Sequence, residues 1–304
     1  MISKNRLAFN AFWWEHLWDE DSVKKVVDTL AEIGYKGVEW KETSFNPGAK
    51  IADELKRAVK VSKEGGLEVT DAVILRGFTD PVTCKKSVED VSDFIRACAE
   101  AGINKVNIPN GGPAPKQPIC EEWWAPGCSP AKTAWDTLKA SLESLLEAAS
   151  QNKVYLVLEP IVGQLVHDYF TTRELFNMID SPYLCLTLDP SHYQLYRNDI
   201  PWSVRQLGSG KIKHVHLKDA VGNPGEFGVD FVFPLLGEGA VDWNGFFQAL
   251  DDINYNGYLS IEFESWKYMN DVLRNDPAVA ARLSMRSASA LLDNYLTSKD
   301  DHIR

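Results

Sequence analysis

The sequence predicts a (β/α)8 barrel, and three observations carry that expectation. Short apolar segments alternate with amphipathic ones through eight repeats. The first apolar segment runs into NAFWWEHLW, not into the Gly-rich phosphate loop of a doubly wound sheet. The last four apolar segments all end in ionisable residues, as barrel strands do at an active-site rim.

Residues 7–12 (LAFNAF) read as the first strand. Val23, Val26, Val27, Leu30 and Ile33 then share one helical face, with Asp21 or Ser22 expected as N-cap and Gly34 as the stop. YKGVEW (35–40) is the second strand. A helix over 52–64 is stopped by Gly65-Gly66, and 67–75 forms the third strand. A helix over 88–101 ends at Gly102, and INKVNIP (103–109) is the fourth strand. Trp135, Leu138, Leu142, Leu145 and Leu146 mark the next helix, followed by VYLVLEP (154–160). TTRELFNMID (171–180) is a helix capped by a threonine, and YLCLTLDP (183–190) is the sixth strand. IPWSVRQLG (200–208) is a short helix with proline at its start, and IKHVHLKD (212–219) is the seventh strand. DWNGFFQALDDI (242–253) precedes YLSIEFE (258–264), the eighth. A last helix over 279–295 leaves a polar end expected to fray. No break in composition divides the series, so residues 1–304 are expected to form one domain. Two long connections, 110–133 after strand four and 220–242 after strand seven, leave the catalytic face and are expected to wall the site.

Composition excludes several functions. The chain has 304 residues, 44% hydrophobic and 25% charged, which is ordinary for a globule with a full core. Its net charge of −11 and lack of a basic block argue against a nucleic-acid backbone or an anionic membrane as partner. No run of 18 apolar residues spans a bilayer, and residues 1–22 lack a clean signal-peptide core, so a cytoplasmic location is expected. The five cysteines are odd in number and contain no C-x-x-C, which indicates neither a disulfide framework nor a zinc knuckle; Cys120 and Cys128 merely bracket one loop.

The chemistry lies at the late strand ends. Strand five ends in Glu159-Pro160 and strand six in Asp189-Pro190. Strand seven carries His214, His216 and Lys218 on one face, and strand eight carries Ser260, Glu262 and Glu264 on one face. Side-by-side burial of three carboxylates is costly unless a cation neutralises them. A set of one imidazole and three carboxylates suits Mn2+ first, with Mg2+, Co2+ or Zn2+ as alternatives, and leaves room for a chelating substrate.

LEP (158–160), LDPSH (188–192), HVHLKD (214–219), LLGEGAVDW (235–243) and GYLSIEFE (257–264) resemble the xylose isomerase-like barrel superfamily, and within it the sugar phosphate isomerase/epimerase family. The resemblance spans about residues 7–292. It implies Glu159, Asp189, His216 and Glu262 as ligands of one divalent metal, and His192 beside the substrate. It also implies Glu159 and Glu262 as the acid/base pair of an isomerase or epimerase. These abstract the proton next to a carbonyl through a metal-stabilised enediolate. The alternative is a lyase of the same fold, either a dehydratase or a deglycosidase that expels the aglycone of a 3-oxo-glycoside. Lys218, His167 and Trp14 are further substrate-binding candidates, and His16, His167 and Lys218 are further acid/base candidates. Trp13, Trp40, Trp123, Trp124 and Trp266 follow strand ends and could stack on a sugar or aglycone. No Arg cluster or phosphate cradle is evident, so a non-phosphorylated carbohydrate or keto-sugar is the expected substrate. A homo-oligomer is the expected assembly, with a hetero-oligomer as alternative. A DNA-repair endonuclease of the superfamily needs early histidine ligands, and only His16 precedes residue 150.

Overall fold

A computed structural model describes residues 2–112 and 131–301. The elements run β1 (Leu7–Asn10), α1 (Glu20–Ile33), β2 (Gly37–Lys41), α2 (Ile51–Glu64), β3 (Glu68–Val73), α3 (Cys84–Ala101), β4 (Lys105–Ile108) and α4 (Ala131–Asn152). They continue with β5 (Tyr155–Leu158), α5 (Tyr169–Met178), β6 (Leu184–Leu188), α6 (Pro190–Leu195), α7 (Ile200–Lys211) and β7 (Ile212–Leu217). The last are β8 (Val221–Gly222), β9 (Phe231–Val232), α8 (Trp243–Asp252), β10 (Leu259–Ile261) and α9 (Pro277–Asp301). Eight strands close into a ring in the order β1-β10-β7-β6-β5-β4-β3-β2, with parallel pairing throughout. The expected (β/α)8 barrel is therefore the fold.

The helices bury the faces that their sequence periodicity marks. Val23, Val26, Val27 and Leu30 of α1 and Leu138, Leu142 and Leu145 of α4 are buried against the barrel wall, as are the outward strand residues Val38, Val215 and Leu217. Inside the ring the register brings polar residues level. Asn10 pairs with Glu39, Glu39 with Asp71, Thr187 with His214 and Ser260 with His216.

Local details differ from the sequence reading. The cap of α1 is Asp19, whose carboxylate accepts from the Ser22 N–H at 2.7 Å while the Ser22 hydroxyl receives the Asp19 N–H. This reciprocal box satisfies two N–H groups at once, which neither Asp21 nor Ser22 as cap would do. Asp168, not a threonine, caps α5, with Thr171 as its reciprocal partner. Helix α3 starts at Cys84, four residues before the expected start, and α9 continues to Asp301 where fraying was expected. The connection after β7 contains a small antiparallel hairpin, β8–β9, and is not structureless. Trp40 is fully buried and donates its indole N–H to Ser62 Oγ (3.3 Å), so it belongs to the core and cannot stack on substrate. The expectations for residues 113–130 of the 110–133 connection, with Cys120, Cys128, Trp123 and Trp124, lie outside the described residues.

Candidate metal centre

Four strand ends converge at the mouth of the barrel. Glu159 follows β5, Asp189 follows β6, His216 lies on β7, and Glu262 follows β10. Each offers one donor atom, and these atoms lie within 4.8 Å of one another. Backbone geometry places them. Glu159 continues the ladder through its N–H to the Ile108 carbonyl (2.9 Å), and Glu262 does the same to Leu217 (3.2 Å). Asp189 is the N-cap of α6 and spends Oδ1 on the Ser191 N–H (2.8 Å), which leaves Oδ2 for the cluster. The His216 ring bridges two groups, with Nδ1 3.3 Å from both Glu159 Oε1 and Glu262 Oε2 and Nε2 3.0 Å from Glu39 Oε1.

Lys218 enters the same cluster from β7's continuation. Its ammonium lies 2.6 Å from Glu262, 2.9 Å from Asp189 and 2.9 Å from Glu264, and 4.7 Å from the centre of the Phe233 ring. Burial pushes the Lys218 pKa down, but Asp189, Glu262, Glu264 and Glu159 outweigh it and hold the lysine well above its ordinary value. Burial would likewise raise Glu159. The His216 charge, hydrogen bonds from His192 and His216, and Lys218 instead hold its carboxyl well below the usual range. His192 is buried, with Nε2 3.3 Å from Lys218 Nζ and 3.6 Å from Glu159 Oε1, while its Nδ1 accepts the Val162 N–H at 3.3 Å. Phe233, from the connection after β7, meets the His192 ring edge-on at 5.5 Å. That connection therefore walls the site, as its length and position suggested.

The donor set fits a divalent cation. Among the described residues, four carboxylates, Glu159, Asp189, Glu262 and Glu264, surround the Lys218 ammonium, so the cluster keeps a negative excess that a metal would neutralise. Three carboxylate oxygens and one imidazole nitrogen form a hard site with positions left for substrate oxygens.

The other candidates have partners of their own. His167 stacks on Tyr196 at 4.3 Å and bonds the Gln164 carbonyl through Nδ1 (2.8 Å), which fixes the loop after β5. Trp14 packs edge-on against core Phe9 (5.8 Å). His16 is exposed and holds a left-handed backbone, φ 58°. Trp13 donates its indole N–H to the Phe263 carbonyl (2.6 Å) and lies 4.4 Å from the half-exposed Trp266, so these two rings border the rim beside Glu262. Sequence reasoning missed Glu39, Asp71 and Asn10, which form the buried polar floor beneath His216. Their signal is a lone polar residue at an inward position of an otherwise apolar strand.

A parallel eight-stranded barrel with buried carboxylates and an imidazole at the C-terminal strand ends defines a TIM barrel with a candidate metal site. Residues 27–288 match the family described as the xylose isomerase-like TIM barrel, and the chain belongs to that family. The chain is 24% identical to an inosose dehydratase of Clostridium perfringens over 286 residues, 87% of this chain and 86% of that one. Its fold superposes on an L-ribulose 3-epimerase with TM-score 0.70 at 19% identity, covering 97% of each chain. It also superposes on the IolI protein, solved with a zinc atom, with TM-score 0.72 at 16% identity, covering 95% of this chain and 99% of that one.

Proposed function

We propose that the protein is a divalent-metal-dependent sugar isomerase or epimerase that removes the proton next to a carbonyl of a non-phosphorylated carbohydrate or keto-sugar. The observation that carries this reading is the pair of carboxylates, Glu159 and Glu262, each 3.3 Å from the same His216 nitrogen. Glu159, Asp189, His216 and Glu262 would hold the metal, Mn2+ in preference to Mg2+, Co2+ or Zn2+. When bound, the metal would polarise the substrate carbonyl and stabilise the enediolate charge. One glutamate takes the α-proton. The other returns a proton to the opposite face for epimerisation, or to the neighbouring carbon for isomerisation. Lys218 and His192 orient substrate oxygens, Phe233 excludes water above them, and His167 and Trp14 support the surrounding loops. The reading includes a cytoplasmic, homo-oligomeric enzyme.

A lyase outcome has its own support: the dehydratase relative matches over most of the chain, and the Lys218–His192 pair, 3.3 Å apart, offers a proton to a departing β-oxygen. Incubation with Mn2+ and a panel of ketoses, inososes and 3-oxo-glucosides in D2O separates the two. Deuterium uptake without loss of a group supports the isomerase or epimerase; release of water or an aglycone supports the lyase. No exchange and no release with any of them rejects both.

A further inference from the structure

Behind His216, on the side away from Glu159 and Glu262, the barrel is closed by a buried polar layer. Glu39 of β2 is its centre and is fully buried. Its Oε1 lies 3.0 Å from His216 Nε2 and accepts from Asn10 Nδ2 at 3.2 Å. Its Oε2 accepts from Ser260 Oγ at 2.6 Å and lies 3.1 Å from His214 Nε2. The partners come from β1, β7 and β10, all strands of the closed ring, so the carboxylate is held on both oxygens by rigid elements.

A neutral imidazole carries one N–H and one lone pair, and the group facing each nitrogen decides which is where. An ionised carboxylate can only accept. When a metal displaces the second proton of His216, Glu39 demands that the remaining N–H stay on Nε2, and the lone pair is left on Nδ1, between Glu159 and Glu262. We infer that Glu39 is a positioning residue that selects this tautomer of His216 and locks its ring, so that Nδ1 is presented to the metal. Asn10 extends the effect, because its Nδ2 also reaches Glu262 Oε1 at 3.3 Å and so steadies a second ligand from the same carboxylate. The inference rests on the four-residue cluster being a metal centre. Glu39, His214 and His216 could themselves be read as a second cation site, since their donor atoms also lie within 4.8 Å. That reading requires both imidazoles to turn lone pairs toward Glu39, whose oxygens already take the Ser260 and Asn10 donors.

The test uses Zn2+, which is diamagnetic. In the 15N spectrum of the histidine-labelled, Zn2+-loaded protein, the His216 resonances, assigned by through-bond correlation to its own backbone, should show a protonated Nε2 and a metal-bound Nδ1. A protonated Nδ1 or a metal-bound Nε2 overturns the inference without any substitution at Glu39. Chelator competition should then show Zn2+ affinity about 10–100-fold lower in both Glu39→Gln and Glu39→Asp, which is the usual effect of removing such a partner. The metal-free variants should keep the wild-type circular dichroism. Unchanged affinity in both variants also overturns the inference. Wild-type protein that binds no Zn2+ at all rejects the metal centre itself, which is a different failure.

Discussion

Asp219, next to Lys218, accepts five N–H groups, and its replacement by asparagine is a quantitative test of how the wall of the site is held. Oδ2 receives Gly237 N (2.9 Å), Gly239 N (3.1 Å) and Trp243 Nε1 (3.0 Å), while Oδ1 receives Ala220 N (3.0 Å) and Val241 N (3.1 Å). An asparagine oxygen can replace only one of the two. Placed on the Oδ2 side it keeps three bonds, and its NH2 group then faces two N–H donors. Two charge-assisted bonds lost at about 1.5–3 kcal/mol each come to about 3–6 kcal/mol. That is a large part of a typical total stability of about 5–15 kcal/mol. At about 2.1 cal/mol/K of unfolding entropy per residue, it corresponds to a Tm lowered by about 5–10 °C. Calorimetry of Asp219→Asn measures this directly. If the connection opens locally instead, Tm holds but limited proteolysis should cut between residues 221 and 232. Activity should fall in either case, because Phe233 loses its seat over Lys218 and His192. A Tm within about 1 °C of wild type together with unchanged proteolysis would refute the reasoning.

Three further outcomes are expected. Glu262→Gln and His216→Asn should each lose most bound metal by elemental analysis, and full occupancy in both would remove them as ligands. With metal resupplied in excess, Glu159→Gln should lose about 10²–10⁴-fold in kcat with little change in KM; near-normal exchange of the substrate α-proton would leave Glu159 as a ligand only. Asp71 is pushed up to about 6 by burial and by the neighbouring Glu39 charge. A carboxyl whose folded pKa is raised binds its proton more tightly when folded. Its favourable share of stability is present at low pH and lost as pH rises from about 4 to 6. Asp71→Asn should therefore gain in Tm relative to wild type at pH 8 compared with pH 5, and a difference independent of pH would contradict this.

What the sequence made legible follows from where each interaction closes. Glu159, Asp189, His216 and Glu262 stand at the ends of four apolar strands, so alternation alone puts them at one rim. Glu39 offers no such cue: its partners His214 and Ser260 are 175 and 221 residues away, and only ring closure brings them beside it. The expected cap of α1 falls two or three residues late because Asp19, Asp21 and Ser22 are all suitable capping types, and the reciprocal bond decides among them. Helix α6, which carries His192, is only six residues long, too short for a periodic signal. The LLGEGAVDW motif was recognisable as a pattern, but its physical reason is visible only in three dimensions. Gly237 takes φ +88°, and a Cβ on Gly239 would run into the Asp219 carboxylate.

The strands that carry the proposed ligands, β5, β6, β7 and β10, are consecutive in the ring, whereas Asn10 and Glu39, which hold Glu262 and His216 from behind, arrive from β1 and β2 across the seam where the chain's last strand meets its first. The centre is thus unfinished until the cylinder shuts. A cation captured there is captured by the whole barrel and not by one loop, so its binding free energy counts toward the folded state in proportion to RT ln(1 + [metal]/Kd). For a chain built this way, the free-metal level of its surroundings would govern how many molecules persist as intact barrels as well as how many are active.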